Sequence, residues 1–118
     1  MPTVKIHISS TVLPFQKPIL VKEVRKSLVE FLGIDQRIGQ VILYETPPQL
    51  RCAHESRNAN FVYIEITMYP IGNSETKKLL LQKISSDVSK HAEVDIKEIN
   101  CCIIEIPPEN WYEGSFRN

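Results

Sequence analysis

The most constraining feature of the sequence is a pattern of apolar residues that occurs twice at a constant spacing. In the first copy, strand-like alternation over residues 4–8 is followed, from Lys17 onward, by the periodicity of an amphipathic helix. Gly33 ends that helix, and the apolar run 41–44 predicts a strand that is buried on both faces. The residues identical in both copies are Ile6/Ile66, Lys17/Lys77, Leu20/Leu80, Asp35/Asp95, Glu45/Glu105 and the pairs Pro47–Pro48 and Pro107–Pro108.

This pattern predicts two β-α-β repeats, residues 2–48 and 62–108, with a connector at 49–61 and a tail at 109–118. Each repeat joins two parallel strands by a right-handed helical crossover, so two copies form a four-stranded sheet with both helices on one face. The predicted class is α+β, with a mixed sheet in one domain. The helix-free face would carry apolar side chains, so we expect another subunit to bury it, with a homotrimer as the arrangement. Two similar units arising by chance are the alternative.

The charge balance limits the partners of the chain. Lys+Arg and Asp+Glu are equal at 14 each, so we expect neither nucleic acid nor a membrane surface as a partner. No apolar run approaches the roughly 20 residues of a membrane span, and residues 1–8 lack the features of a secretory signal. A cytoplasmic protein is therefore expected. Its adjacent Cys101 and Cys102 are predicted to be reduced, and its scattered histidines predict neither a metal site nor a cofactor.

Pro2 follows the initiator Met1, and removal of Met1 would leave a secondary amine at the chain terminus. An α-amino group has an unperturbed pKa of about 8, and apolar burial lowers such a pKa because it disfavours the cation. Pro2 shares strand parity with Val4 and Ile6, so we expect it beside the apolar face. A neutral amine can take a proton from a carbon next to a carbonyl and return it elsewhere, whereas a cationic amine serves as an acid. Val62 occupies the matching position in the second copy, so one site per chain is expected.

The segments MPTVKIHI at the start and PPENWYEG near the end, on a duplicated β-α-β chain, resemble the tautomerase superfamily over nearly the whole length. The resemblance is strongest to fused, double-length members similar to malonate semialdehyde decarboxylase, on Phe61–Thr67 and Glu109–Trp111. Single-length members such as 4-oxalocrotonate tautomerase share the N-terminal strand and helix. The resemblance implies a tautomerase/MIF-like fold, a trimer, and an N-terminal proline that acts as base or acid on small keto acids, enols or unsaturated carboxylates.

The resemblance also indicates where substrate contacts would lie. Relatives hold substrate carboxylates with arginines, whose fork binds two oxygens at once. The matching positions here are Thr11–Val12, Ile71–Gly72 and Gln40. We therefore expect Gln40 or Arg37 to contact the substrate.

For three further residues the sequence allows two roles each. Arg51 and Arg57, like Arg37, are either substitute anion-binding residues or solvated surface residues. By resemblance Trp111 forms an apolar wall of the pocket; alternatively it anchors the tail to a neighbouring subunit. The turn-rich tail is predicted to fold back as a short hairpin.

The sequence thus predicts a tautomerase-like isomerase in which Pro2 transfers protons on an enol or α-keto acid, with promiscuous lyase activity as a side reaction. The decarboxylase-like members place an aspartate shortly before the second strand, and residues 35–40 offer no clear counterpart, which disfavours hydrolysis or decarboxylation. A catalytically degenerate member that serves as an oligomeric binding protein is the alternative. A ferredoxin-like regulatory module is disfavoured, because its strand order is usually antiparallel.

Overall fold

The computed structural model describes residues 2–12 and 17–114. Within these ranges, helices α1 (Lys17–Leu32) and α2 (Ser74–Ala92) pack against a four-stranded sheet. The strands, in the order β2-β1-β3-β4 across the sheet, are β1 (Thr3–Ser9), β2 (Gln40–Thr46), β3 (Val62–Met68) and β4 (Ile99–Glu105). β1 is parallel to β2 and β3 to β4, whereas β1 and β3 are antiparallel. The predicted α+β fold with a mixed sheet is confirmed.

One hydrophobic core lies between the helices and the sheet. The apolar residues at three- and four-residue spacing on each helix face the sheet, because this spacing places them on one side of the helix. The alternating residues of β1 and β3 meet them from the other side. The fully buried members of this core are Val4, Ile6, Leu20, Val24, Leu28, Val62, Ile64, Ile66, Leu80, Ile84 and Val88.

Local signals in the sequence fix the helix ends. Gly33 adopts the left-handed conformation, with φ of 62°, at the end of α1, as predicted. Asn73 caps the start of α2, because its side-chain oxygen accepts hydrogen bonds from the backbone N–H groups of Glu75 and Thr76. Neither helix of the described ranges combines the length and the apolar character needed to cross a bilayer.

Residues that are identical in the two halves make the same contacts. Lys17 Nζ lies 2.7 Å from a carboxylate oxygen of Glu45, and Lys77 Nζ lies 2.9 Å from the equivalent oxygen of Glu105. Each pair connects the first turn or turns of a helix with the end of the strand that follows it. The two β-α-β halves of the chain thus carry the same ion pair at matching positions.

Each half also ends in the same turn. A 3₁₀ turn at Pro48–Leu50 follows β2, and a second one at Pro108–Asn110 follows β4. The second turn is closed by the backbone N–H of Trp111, which donates to the carbonyl of Pro108. The predicted tail hairpin is therefore wrong for the residues described up to 114, because the proline pair favours a tight turn and removes donors that a strand ladder needs.

The helix-free face of the sheet mixes polar and apolar side chains. Four of its apolar or aromatic side chains are about two-fifths exposed, namely Ile42, Tyr44, Tyr63 and Ile104. His7 stacks on Tyr44 with ring centroids 4.7 Å apart. Within the single chain, the prediction that the strand at 41–44 is buried on both faces is wrong, since β2 is an edge strand with only one face against the helices.

Candidate active site around Pro2

Pro2 is buried and lines a cavity of 160 Å³. The rest of the wall comes from the end of α1, the end of β3 and the residues that follow each of them, and consists of Leu32, Ile34, Met68, Tyr69, Pro70 and Ile71. These segments meet at Pro2 because β1 and β3 are antiparallel, with Thr3 opposite Thr67. The beginning of one strand therefore lies beside the end of the other. The result is a small, largely apolar pocket around Pro2.

Gln40 lies directly beside Pro2. Its backbone N–H donates to the carbonyl of Pro2 at 3.1 Å, and its side-chain Nε2 donates to Thr3 Oγ1 at 3.0 Å. The turn before it is fixed by Gly39, whose φ of 91° is unfavourable for residues with a side chain. Gly39 is held in turn by Arg25, whose Nε donates to its carbonyl. The structure thus brings the backbone of Gln40 to Pro2, whereas the side chain predicted to contact the substrate binds Thr3, and Gln40 is not among the described residues that line the Pro2 cavity.

Trp111 contacts the wall of the Pro2 cavity through Tyr69. The two rings meet edge to face, with centroids 5.8 Å apart. Trp111 itself lines a neighbouring cavity of 370 Å³, together with Thr3 and Lys5. Trp111 therefore supports the Pro2 pocket from behind Tyr69, and Lys5 adds a cation to the adjoining space.

Arg37 lies outside the lining of the Pro2 cavity. Its guanidinium binds Asp35 with two hydrogen bonds, Nε to Oδ1 at 3.0 Å and Nη2 to Oδ2 at 2.9 Å. These bonds from Arg37 lower the pKa of Asp35 to about 2, and the carboxylate in turn raises the pKa of Arg37. The fork that would hold a substrate carboxylate is thus engaged by a carboxylate of the same loop.

Arg51 fastens the connector to the sheet. Its guanidinium donates to the carbonyl of Ala59 at 2.8 Å and to Thr46 Oγ1 at 2.6 Å. It also donates to the carbonyl of Phe61 and lies 4.2 Å from the centre of the Phe61 ring. Burial lowers its pKa. Each of the three guanidinium nitrogens of Arg51 thus donates to a group of this chain, which favours a role in holding the connector over the two roles considered from the sequence.

A larger cavity, of 610 Å³, lies between α2 and β4, and Pro2 is not among the described residues that line it. Of those described lining residues, Cys101 alone carries a titratable group, its thiol. Burial raises the pKa of Cys101 to about 11, so the thiol stays protonated near neutrality. We therefore place the candidate site at Pro2 rather than in this larger cavity. No cluster of three or more His, Cys, Asp or Glu residues suited to a metal occurs in residues 2–12 and 17–114.

Sequence reasoning missed most of the cavity wall. Ile34 and Tyr69 lie outside the predicted strands and were not singled out, whereas Ile71 occupies a position where the resemblance places a substrate contact of the relatives. Only the antiparallel pairing of β1 with β3 brings Tyr69 and Ile71 to Pro2. The role of Lys5 was missed as well, because it alternates with the apolar residues of its strand. Its parity with Thr3 was the available signal, since residues two apart on a strand share one face.

Comparison with known proteins agrees with this architecture. The model of the tautomerase enzyme family matches residues 36–117, so the chain belongs to this family. The matched range includes Arg37, Gln40 and Trp111 and begins after Pro2. No curated protein matches the sequence.

Several solved structures share the fold. FG41 malonate semialdehyde decarboxylase, inhibited by 3-bromopropiolate, is 23% identical with a TM-score of 0.80, covering 95% of this chain and 88% of its own. The Q0 fused 4-OT symmetric trimer is 19% identical with a TM-score of 0.80, covering 89% of this chain and 85% of its own. A macrophage migration inhibitory factor-like protein from Entamoeba histolytica is 16% identical with a TM-score of 0.79, covering 96% and 95% respectively. These likenesses extend the superfamily resemblance of the sequence to the three-dimensional fold.

Proposed function

We propose that the protein is a tautomerase-like enzyme in which Pro2, after removal of Met1, transfers protons on a small enol or α-keto acid. The observation that carries this proposal is the burial of Pro2 in a cavity with apolar walls. Such surroundings disfavour a cation and so favour a neutral secondary amine near neutrality. The same walls keep water away from the reacting carbon.

The reaction needs one group that both accepts and donates a proton. The neutral nitrogen of Pro2 takes the hydroxyl proton of the enol. The electron pair of that O–H bond forms the carbonyl, and the π electron pair of the carbon–carbon double bond moves onto the far carbon. The ammonium form of Pro2 then gives the proton to that carbon. Atoms and charge balance without a cofactor, because the proton that leaves oxygen returns to carbon.

Other residues would bind and orient the substrate. Gln40, held beside Pro2 by its backbone, carries an amide suited to a carbonyl or carboxylate oxygen. Tyr69, supported by Trp111, closes the apolar side. Lys5 supplies a positive charge in the adjoining cavity, and Arg37 would have to leave Asp35 to contribute a second one.

The comparisons support a small acid as the substrate class. The related decarboxylase is inhibited by 3-bromopropiolate, a small unsaturated carboxylate. A pocket of 160 Å³ around Pro2 is of a size for such molecules. The lyase side reaction predicted from the sequence remains part of this proposal.

We further propose a homotrimer. The helix-free face leaves Ile42, Tyr44, Tyr63 and Ile104 partly exposed in the single chain, and burial of apolar surface drives association. The fused 4-OT relative is a symmetric trimer. Light scattering after size exclusion would show three chains per particle; a monomer at micromolar concentration would contradict this assembly.

The catalytic proposal is tested by mass spectrometry and one substitution. Intact mass should show that Met1 is absent, and an ultraviolet assay with an aryl enolpyruvate should show ketonisation by the wild type. Pro2→Ala should lower kcat/KM by at least about 100-fold, the usual contribution of a positioned acid–base group. Lys78→Gln, a change on the exposed side of α2, serves as the control and should keep the wild-type rate. Equal rates for wild type and Pro2→Ala would refute the proline mechanism.

A non-catalytic binding protein is the second candidate. Two observations favour it: the described residues that line the Pro2 cavity include no cation, and Arg37 is paired with Asp35. Under this alternative the wild type and Pro2→Ala would both be inactive. Retention of Met1 in protein isolated from its native source would also favour this candidate, because the nitrogen of Pro2 would then be an amide.

A further inference from the structure

A second cavity lies at the other end of the sheet from Pro2. It has a volume of 130 Å³ and is lined by Cys52, Ala53, His54, Arg57, Phe61 and Asn100. Asn100 is the second residue of β4 and lies beside the start of β3, whereas Pro2 precedes β1 beside the end of β3. Since β3 is seven residues long, the two cavities of one chain are about 20 Å apart. The second cavity is therefore separate from the candidate active site.

Arg57 borders this cavity with an unsatisfied charge. Its Nη1 atom is shielded from water and has no hydrogen-bond partner among residues 2–12 and 17–114. No carboxylate of these residues forms an ion pair with it. A buried donor on a charged group that lacks an acceptor costs folding free energy, and natural structures seldom retain one without a ligand or a function.

Charged groups near Arg57 in the chain are engaged with other partners. Glu98 is buried and accepts a hydrogen bond from the backbone N–H of Asn58, the residue after Arg57, at 3.1 Å. Phe61, another wall residue, carries the guanidinium of Arg51 on its ring. Arg51 adds positive charge, while its own donors are occupied elsewhere. The local balance therefore favours an anion in the cavity.

Asn100 adds a neutral donor at a specific position. It is the second residue of β4 and lies opposite Tyr63, whereas Gln40 is the first residue of β2 and lies opposite Thr3. Gln40 donates its amide to Thr3, but the hydroxyl of Tyr63 is directed to Glu65 and Cys102. The amide of Asn100 is thus not engaged by its strand partner and is left to the cavity that it lines.

We propose that this cavity binds a small oxyanion, through the guanidinium of Arg57 and the amide of Asn100. The planar guanidinium binds two oxygens of a carboxylate or phosphate in parallel, and Asn100 donates to a third acceptor position. The volume equals about four water molecules at roughly 30 Å³ each, which fits acetate or inorganic phosphate. Because Pro2 takes no part, the site does not depend on the proposed proton transfer.

Cys52 provides a local readout, because its exposed thiol lines the same cavity. The experiment measures the rate at which iodoacetamide alkylates Cys52, by peptide mass mapping, in acetate, in inorganic phosphate and in chloride at equal ionic strength. An anion at ten times its dissociation constant should slow alkylation about tenfold, since only the empty site reacts. Protection by acetate assigns a carboxylate ligand, and protection by phosphate alone assigns a phosphate-type ligand; either result supports the site.

Two substitutions make the test specific. Arg57→Gln should abolish protection, whereas Lys97→Gln, which removes an exposed charge at the same end of the sheet, should retain it. Arg57→Lys keeps the charge but loses the fork, so protection should weaken even if Arg57→Gln fails to fold. Pro2→Ala should be protected like the wild type. The proposal is overturned if acetate and phosphate protect no better than chloride, or if both Arg57 variants are protected as well as the wild type.

Discussion

Replacing Arg25 with alanine should destabilise the protein through the loop that leads into β2. The Arg25 guanidinium donates to the carbonyls of Gly39 at 2.9 Å and Ile38 at 3.2 Å, and also to that of Gln36. These bonds close the groove between α1 and β2 and hold the turn that precedes Gln40. Alanine would leave the carbonyls without their donor.

The expected loss of unfolding free energy is about 2 kcal/mol. A hydrogen bond to a charged group contributes about 1.5–3 kcal/mol when buried, and Arg25 is only half-buried, so water can replace part of each bond. With a urea m-value of about 1.5 kcal/mol/M, typical of this chain length, the midpoint should fall by about 1.3 M. Far-UV circular dichroism in urea measures this midpoint. The protein concentration is kept the same for all variants, because the stability of the proposed oligomer depends on it.

The second half of the chain offers a matched control. Ser85 occupies the equivalent position on α2, where the groove beside β4 remains open as the 610 Å³ cavity. Ser85 makes one side-chain hydrogen bond, to the thiol of Cys101, so Ser85→Ala should change the unfolding free energy by no more than about 1 kcal/mol. Arg25→Lys should recover less than half of the loss, because an ammonium cannot reach three carbonyls at once. A midpoint for Arg25→Ala equal to that of Ser85→Ala would refute this reasoning.

Two further predictions concern α2 and β4. Asn73→Ala should lower the unfolding free energy by about 1 kcal/mol through loss of the helix cap, read from the urea midpoint; Ser74→Ala is the neighbouring control, and equal midpoints would contradict the cap. Burial raises the pKa of Cys101 from 9.0 to about 11, so the unfolded chain ionises first and stability should fall as the pH rises from about 9 to about 11. Urea midpoints at pH 8 and 10.5 should show a smaller fall for Cys101→Ala, and a pH dependence identical to wild type would count against the buried thiol as its source.

The local architecture could be predicted because its signals are local. The three- and four-residue spacing of Leu20, Val24 and Leu28 describes one face of a helix whatever surrounds it. The alternation around Ile6 likewise gives the buried face of β1. Even the parallel pairing within each half follows, because a helix between two strands requires a crossover. These local patterns were therefore sufficient to predict the fold class and the position of both helices.

The candidate site was only partly accessible to such reasoning. Pro2 and Gln40 were predicted, and the structure places them in contact. The contact of Trp111 with Tyr69 favours the predicted role at the pocket wall. No sequence pattern had singled out Tyr69. The sequence predicted that Arg37 would contact the substrate. In the structure Arg37 forms an ion pair with Asp35, and this pairing could not be predicted because it depends on the conformation of the loop that holds both residues.

The sequence alone determined two β-α-β units, their buried faces and a proline at the head of the first strand. Tertiary structure alone decided that β1 and β3 pair antiparallel, which places Pro2 in a pocket with Tyr69 at one end of the sheet and Arg57 beside a separate cavity at the other. The physical reason is the distance along the chain over which each signal acts. Periodicity involves residues that are near in sequence and indicates which face of a helix or strand is buried. A pocket depends on segments that are distant in sequence, and no local pattern specifies how they pair.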